Sequence, residues 1–136
     1  MIEDFPETLE DLEQQEAAEE QDEPQLQYNS VFEFYEGMIA PLLRDRLIRS
    51  QHQRWSSRWW TSPEAMLRLD ALWRAYESLR QDPATGISVW LRDHYDHHMA
   101  ILTSEDGPFG DSRDQAKRGE YPPYDQPPEE VVETID

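Results

Sequence analysis

The stretch WLRDHYDHHMAIL, Trp90 to Leu102, gathers three histidines and two aspartates into the six residues from Asp93 to His98. Imidazoles and carboxylates are ligands of zinc, and two histidines four apart on a helix can share one ion. His94 and His98 have that spacing. With Ile87 as origin and about 100° per residue, Leu91, Tyr95 and Leu102 fall on one side of an apolar face. Trp90 and Ile101 fall on the other, with His94 and His98 between them. Arg92, Asp93 and Asp96 project from the opposite face, and His97 sits near an edge. The aspartates therefore cannot complete a shell begun by His94 and His98, and further ligands would have to come from another segment. The metalloprotease pattern HExxH puts Glu directly after the first His, where this chain has Tyr95. There is no cysteine to supply a thiolate. The simpler role is a pair of packed histidines bonded to backbone or to a neighbouring side chain, with Asp93 and His97 as a solvated surface pair. A pH-sensitive contact is the remaining role. No GxSxG elbow or phosphate loop occurs, and the acids are too many to single out a pair. His94 and His98 are thus metal candidates, no catalytic residue is identified, and no cofactor is implied.

A second chemistry-bearing stretch is LLRDRLIRSQHQRWSSRWW, Leu42 to Trp60. From Arg44 to Arg68 six arginines face only Asp45 and Glu64, and Trp55, Trp59 and Trp60 interleave with them. Guanidinium groups grip phosphates in pairs of hydrogen bonds, and indoles stack on unpaired bases. The same residue types dominate protein-binding hot spots. Arg54, Trp55, Arg58, Trp59 and Trp60 are accordingly the candidate binding surface. Against nucleic acid stands a net charge of −18, which opposes approach to a polyanion. The alternative role for the indoles is a compact core with arginine stems covering its edges, which a small domain needs.

Three helices would position these residues. In the first, Ser30 and Glu33 match a capping box, and Val31, Tyr35, Met38 and Leu42 follow helical spacing. Pro41 crowds the carbonyl of Gly37 and predicts a kink. In the second, Thr61 and Glu64 offer another capping box and Pro63 a first turn. Ala65, Leu69, Leu72, Tyr76 and Leu79 form its inner stripe, Met66 and Trp73 widen it, and Asp70 and Arg74 pair on the outside. Asp82-Pro83 ends it. The third runs from about Gly86 to Thr103.

Charge divides the chain. Residues 1–27 hold eleven acids and no Lys or Arg; residues 28–110 hold eleven acids and nine arginines; residues 111–136 hold eight acids and three bases. Segments so polar cannot bury enough apolar area to offset the entropy of ordering. The expectation is an all-α fold: a small three-helix domain, residues 28–110, with a Trp-rich core and a kinked first helix. An acidic disordered tail, 1–27, and a Pro-rich acidic disordered tail, 111–136, flank it. In the first tail Phe5, Leu9 and Leu12 have the spacing of a short helix docking in a groove. In the second, YPPYDQPPEE resembles a WW-domain ligand without its PPxY spacing. No signal peptide or membrane-spanning run is visible, so a cytoplasmic location without membrane contact is expected.

The run PEAMLRLDALWRAYESLRQDPATGISVWLRDHYDHHMAILTSEDGPF, preceded by WW, resembles an uncharacterised actinobacterial family, the domain of unknown function 4913. The likeness spans residues 28–110. It implies a bacterial, cytoplasmic setting on plasmids, phages or integrated elements, and no chemistry. The family pattern carries proline where this chain has His97, which would let Asp96 cap a fresh turn and break the third helix near Tyr95. The resulting expectation is a non-catalytic protein-binding or adaptor module whose partner is another protein. The first alternative is a nucleic-acid accessory protein using residues 44–68, gated by its acidic tail. The second is a metal-dependent enzyme using His94 and His98.

Overall fold

A computed structural model describes residues 8–10, 25–46, 52–117 and 119–135. Phe5 and Leu12 lie outside the described residues, and Leu9 is exposed. Among the described residues there are helices and turns and no β-strand.

The first helix is a continuous run of α1 (Val31–Phe34), a π-helical turn (Tyr35–Ile39) and α2 (Ala40–Arg46). Ser30 caps it, its Oγ accepting the Glu33 N–H at 3.1 Å, and the Glu33 carboxylate accepts the Asn29 N–H at 2.7 Å. The distortion expected at Pro41 takes the form of the π turn, in which the Ala40 N–H reaches back five residues to the Tyr35 carbonyl. A widened turn ahead of proline accommodates the hydrogen bond that proline cannot donate. It also moves the buried face on by one residue: Ile39 and Leu43 are buried, where α-spacing predicts Met38 and Leu42, which are only half-buried.

A 3₁₀ turn (Trp59–Thr61) leads into α3 (Pro63–Leu79). The cap is Ser62, whose Oγ accepts the Ala65 N–H at 3.2 Å, and not the predicted Thr61, whose hydroxyl donates to the Arg58 carbonyl at 2.7 Å. Pro63 opens the helix, and Ala65, Leu69, Leu72 and Tyr76 face inward. After the Asp82 turn the chain returns antiparallel as α4 (Gly86–Val89), a second π turn (Trp90–Tyr95) and α5 (Asp96–Leu102). Gly86 lies against the end of α3, where a Cβ would overlap the Leu79 carbonyl oxygen. The Trp90 indole donates to the Leu72 carbonyl at 3.0 Å and ties the two arms.

The second π turn corrects the predicted face of the third helix. Residues five apart on an α-helix point about 140° apart; the wider turn brings Trp90 and Tyr95 onto the inner side, followed by Met99 and Leu102, all buried. Ile87 and Leu91, expected inside, are 42% and 37% exposed. The helix does not break at Tyr95; it widens there and resumes α-geometry at Asp96.

One buried carboxylate anchors the entry to the domain. Glu77 accepts the Gln27 and Tyr28 backbone N–H groups at 2.9 Å each, the Arg80 guanidinium at 2.8 Å and the Trp73 indole at 3.2 Å. Arg80 also donates to the Gln25 carbonyl. Burial pushes the Glu77 carboxyl up, but the two backbone donors and Arg80 outweigh it, and its pKa lies below the ordinary 4.5.

The C-terminal segment departs most from expectation. Instead of a solvated tail beginning at residue 111, it forms a strap across the core. Pro122 is buried, Tyr124 packs 4.8 Å from Tyr35, and Val131 and Val132 in α6 (Glu129–Ile135) rest against the core. Average composition misleads here: a few spaced apolar residues suffice to dock an extended chain while its carboxylates stay in water.

Gly86→Ala forces the hairpin arms apart and should cost about 1–3 kcal/mol, seen as a lower urea midpoint at unchanged slope; an unchanged midpoint would show that the close approach is dispensable. Glu77 contributes stability fully present above pH 4.5 and lost as pH falls through its lowered pKa. Glu77→Gln should therefore cost about 2 kcal/mol at pH 7 and flatten the acid limb of stability in urea titrations at stepped pH.

Candidate functional site

His98, half-buried on α5, presents Nδ1 to the Arg68 guanidinium at 3.0 Å, and Arg68 in turn donates to Glu64 at 2.9 Å. Guanidinium only donates, so Nδ1 is the acceptor and the imidazole is neutral with its proton on Nε2. Burial, then Arg68, His97 and His94, hold the His98 pKa below 6.5. A metal ion at Nδ1 would have to displace Arg68 and face its charge. His94 is half-buried, and His97 is exposed with its ring 5.5 Å from that of His98. Asp93 pairs with Arg92 at 2.7 Å rather than with His97, and Asp96 lies 4.0 Å from Arg46. Among the described residues no three His, Cys, Asp or Glu side chains gather to hold a metal.

Beside α2 and α5 lies a cleft of about 320 Å³ lined by the buried Leu43, Tyr95 and Met99 and by the exposed Arg46–Asp96 pair. Burial pushes the Tyr95 phenol up to about 12. It is therefore no proton acceptor at neutral pH.

The basic-aromatic stretch is divided by the fold. Trp55 and Trp59 are 1% and 0% exposed, which removes them from the expected binding surface. Trp55 stacks 6.1 Å from Tyr35 and meets the edge of Phe109 at 4.9 Å; Trp59 lies 5.5 Å from Phe32 and 4.9 Å from Tyr35. Their apolar area is what a domain this small must bury to be stable. Arg54, Arg58 and Trp60 remain at the surface or half-exposed, each held by the chain itself. Arg54 is 3.5 Å from Glu105, and Arg58 is 3.6 Å from Asp125 and 5.8 Å above the Trp60 ring. Arg44 donates to the Gly119 carbonyl at 2.7 Å and lies over the Tyr121 ring at 4.9 Å.

What the fold assembles is a grip on the strap. The Asp125 N–H donates to the Ser57 carbonyl at 2.9 Å, and its carboxylate accepts the Ser57 hydroxyl at 3.3 Å and faces Arg58. Its carbonyl accepts the Trp60 indole N–H at 3.0 Å. The Ser57 N–H donates to the Asp114 carboxylate at 2.7 Å. One residue earlier, Tyr124 sits against Tyr35 and lies 6.3 Å from Trp59, nearly parallel to it. Ser57, Asp114, Tyr124 and Asp125 carry no motif that marks them in the sequence; a tyrosine and an aspartate between proline pairs was the one available signal.

In this aromatic cluster, four buried polar atoms have no hydrogen-bond partner among the described residues: the Tyr35 and Tyr124 hydroxyls and the Trp55 and Trp59 indole nitrogens. Burial pushes the Tyr35 phenol up to about 12, against the Trp55 indole, which faces it without reaching hydrogen-bond geometry; Glu36 adds to the rise. Burial, then Glu36 and Tyr35, raise the Tyr124 phenol as well. Each such group costs about 1–3 kcal/mol relative to a satisfied one.

No curated protein and no solved structure matches the chain. A family match covers both the helical hairpin and the strap that the grip holds. The chain belongs to the family described as Domain of unknown function (DUF4913), whose model matches residues 28–131.

Proposed function

We propose that the protein is a non-catalytic protein-binding module, an adaptor working in the cytoplasm of a bacterium on behalf of a plasmid, phage or integrated element. The mobile-element setting, including an actinobacterial host, rests on the family resemblance. The observation that carries the binding role is the grip of Ser57, Arg58 and Trp60 on Asp125, beside an aromatic slot for Tyr124. Backbone pairing, one aromatic anchor and one paired carboxylate are the working parts of peptide recognition.

The same geometry weighs against the alternatives. A nucleic-acid surface needs cationic side chains available to phosphates. Here Arg44, Arg54, Arg58 and Arg68 each face a carboxylate or carbonyl of their own chain, on a protein of net charge −18. A metal enzyme needs converging ligands, and the His98 Nδ1 lone pair is directed at Arg68. Among the described residues no helix is long and apolar enough to cross a membrane.

Affinity capture from the native host, with crosslinking before lysis, tests the reading. The full chain should retain a stoichiometric protein partner that Arg58→Glu loses, and anisotropy with single-stranded oligonucleotides should show no saturable binding with or without residues 1–24. Oligonucleotide binding that falls steeply with salt would overturn the reading in favour of nucleic acid.

A further inference from the structure

The geometry points to the strap as a displaceable stand-in: the groove formed by Tyr35, Ser57, Arg58, Trp59 and Trp60 is a receptor for an acidic, proline-flanked Tyr–Asp segment of a partner protein. This rests on the protein-binding reading and names the chemistry of the partner.

The occupant seated in the groove defines what the groove accepts. A tyrosine ring packs against Tyr35 at 4.8 Å and lies 6.3 Å from Trp59, and the following aspartate meets a backbone carbonyl, a hydroxyl, a guanidinium and an indole N–H in one place. The prolines in YPPYDQPPEE favour an extended chain. An extended segment can enter such a groove without first being folded, which lowers the entropy cost of docking. One charge pair is formed across the groove: the Asp125 carboxylate lies 3.6 Å from the Arg58 guanidinium.

Two features make the strap replaceable. Its polar attachments lie at exposed edges, where water can take over each hydrogen bond: Arg44 to Gly119, Ser57 to Asp114 and Asp125, and Trp60 to Asp125. Meanwhile the Tyr124 hydroxyl in the strap, and the Tyr35 hydroxyl and Trp59 indole nitrogen beside it, have no hydrogen-bond partner among the described residues. The docked strap thus leaves hydrogen-bonding capacity unused in the core it covers. By contrast, the entry segment is locked by a buried carboxylate with four donors. An external segment takes the strap's place against Tyr35 and Trp59, while the entry segment and the helical hairpin keep their own ties through Glu77 and Trp90.

The test uses a fluorescein-labelled peptide of residues 119–133, titrated into the full-length protein and into full-length Tyr124→Ala and Asp125→Arg. Weakening the strap raises the fraction of molecules with an open groove, and apparent affinity scales with that fraction. The peptide should bind both variants at least about tenfold more tightly than the wild type, and a peptide carrying Tyr124→Ala should not bind. Equal or absent binding across all three proteins overturns the proposal. Hydrogen exchange on the wild type keeps the test independent of variant folding. The Asp125 amide should exchange by local opening, well ahead of the Trp90 to Met99 amides. Exchange of Asp125 only with global unfolding overturns the proposal. A captured partner together with a negative peptide result would sink the groove and leave the adaptor role standing.

Discussion

Trp59 is wholly buried, and its indole touches Phe32 on the first helix, Tyr35 one turn further on and Tyr124 in the C-terminal strap. Two stretches far apart in sequence, the first helix and the strap, are thereby held on one side chain. Tyr35 extends the contact to Trp55 and Trp55 to Phe109, while Phe34, Tyr76 and Trp90 form a second aromatic cluster. Among the described residues, aromatic rings supply half of the buried hydrophobic side chains. Large rings bury much area per residue, which is how a short helical chain reaches stability without cysteine or a second layer of structure.

That network sets demands on the helices. Aromatic rings must arrive at particular places, and two helices meet the demand by widening a turn. In each, residues that regular spacing would send outward come inward: Ile39 and Leu43 in one, Met99 beside Tyr95 in the other. The π turn before Pro41 has a local cause in the missing proline N–H. The one at Trp90–Tyr95 has no proline, and its cause is tertiary: Trp90 donates to the Leu72 carbonyl while Tyr95 packs 5.3 Å from the same indole. Both rings must face inward, five residues apart.

Charge is arranged around this core by pairing. Arginines on the surface of the domain meet carboxylates within reach, either one turn along a helix, as in Arg74 with Asp70, or from distant chain, as in Arg58 with Asp125. Exposed pairs of this kind add little stability each; their effect is to neutralise the basic stretch. Glu77 differs. It is buried, and four donors meet it where the chain enters the domain, so it fixes that entry rather than decorating it.

Where chemistry is local, the sequence alone determined the outcome. Ser30 before an apolar period, Pro63 at a first turn, Asp82-Pro83 at a stop and the stripe from Ala65 to Tyr76 depend on neighbours within a turn or two, and the helices form where those signals lie, with the cap of the long helix moved from the expected Thr61 to Ser62. The residue run from Trp59 to Phe109 was also enough to recognise the family. What required the tertiary structure is everything settled by long-range contact: which tryptophans lie inside, how far a π turn rotates a face, why Glu77 is buried, and that a proline-rich acidic segment folds back onto Tyr35 and Trp59. Most depend on residues far beyond a helical turn, from 18 positions apart for Trp90 and Leu72 to 68 for Ser57 and Asp125. No window of composition or periodicity contains both partners of such a contact, so the strap and its grip became visible only when the chain was folded.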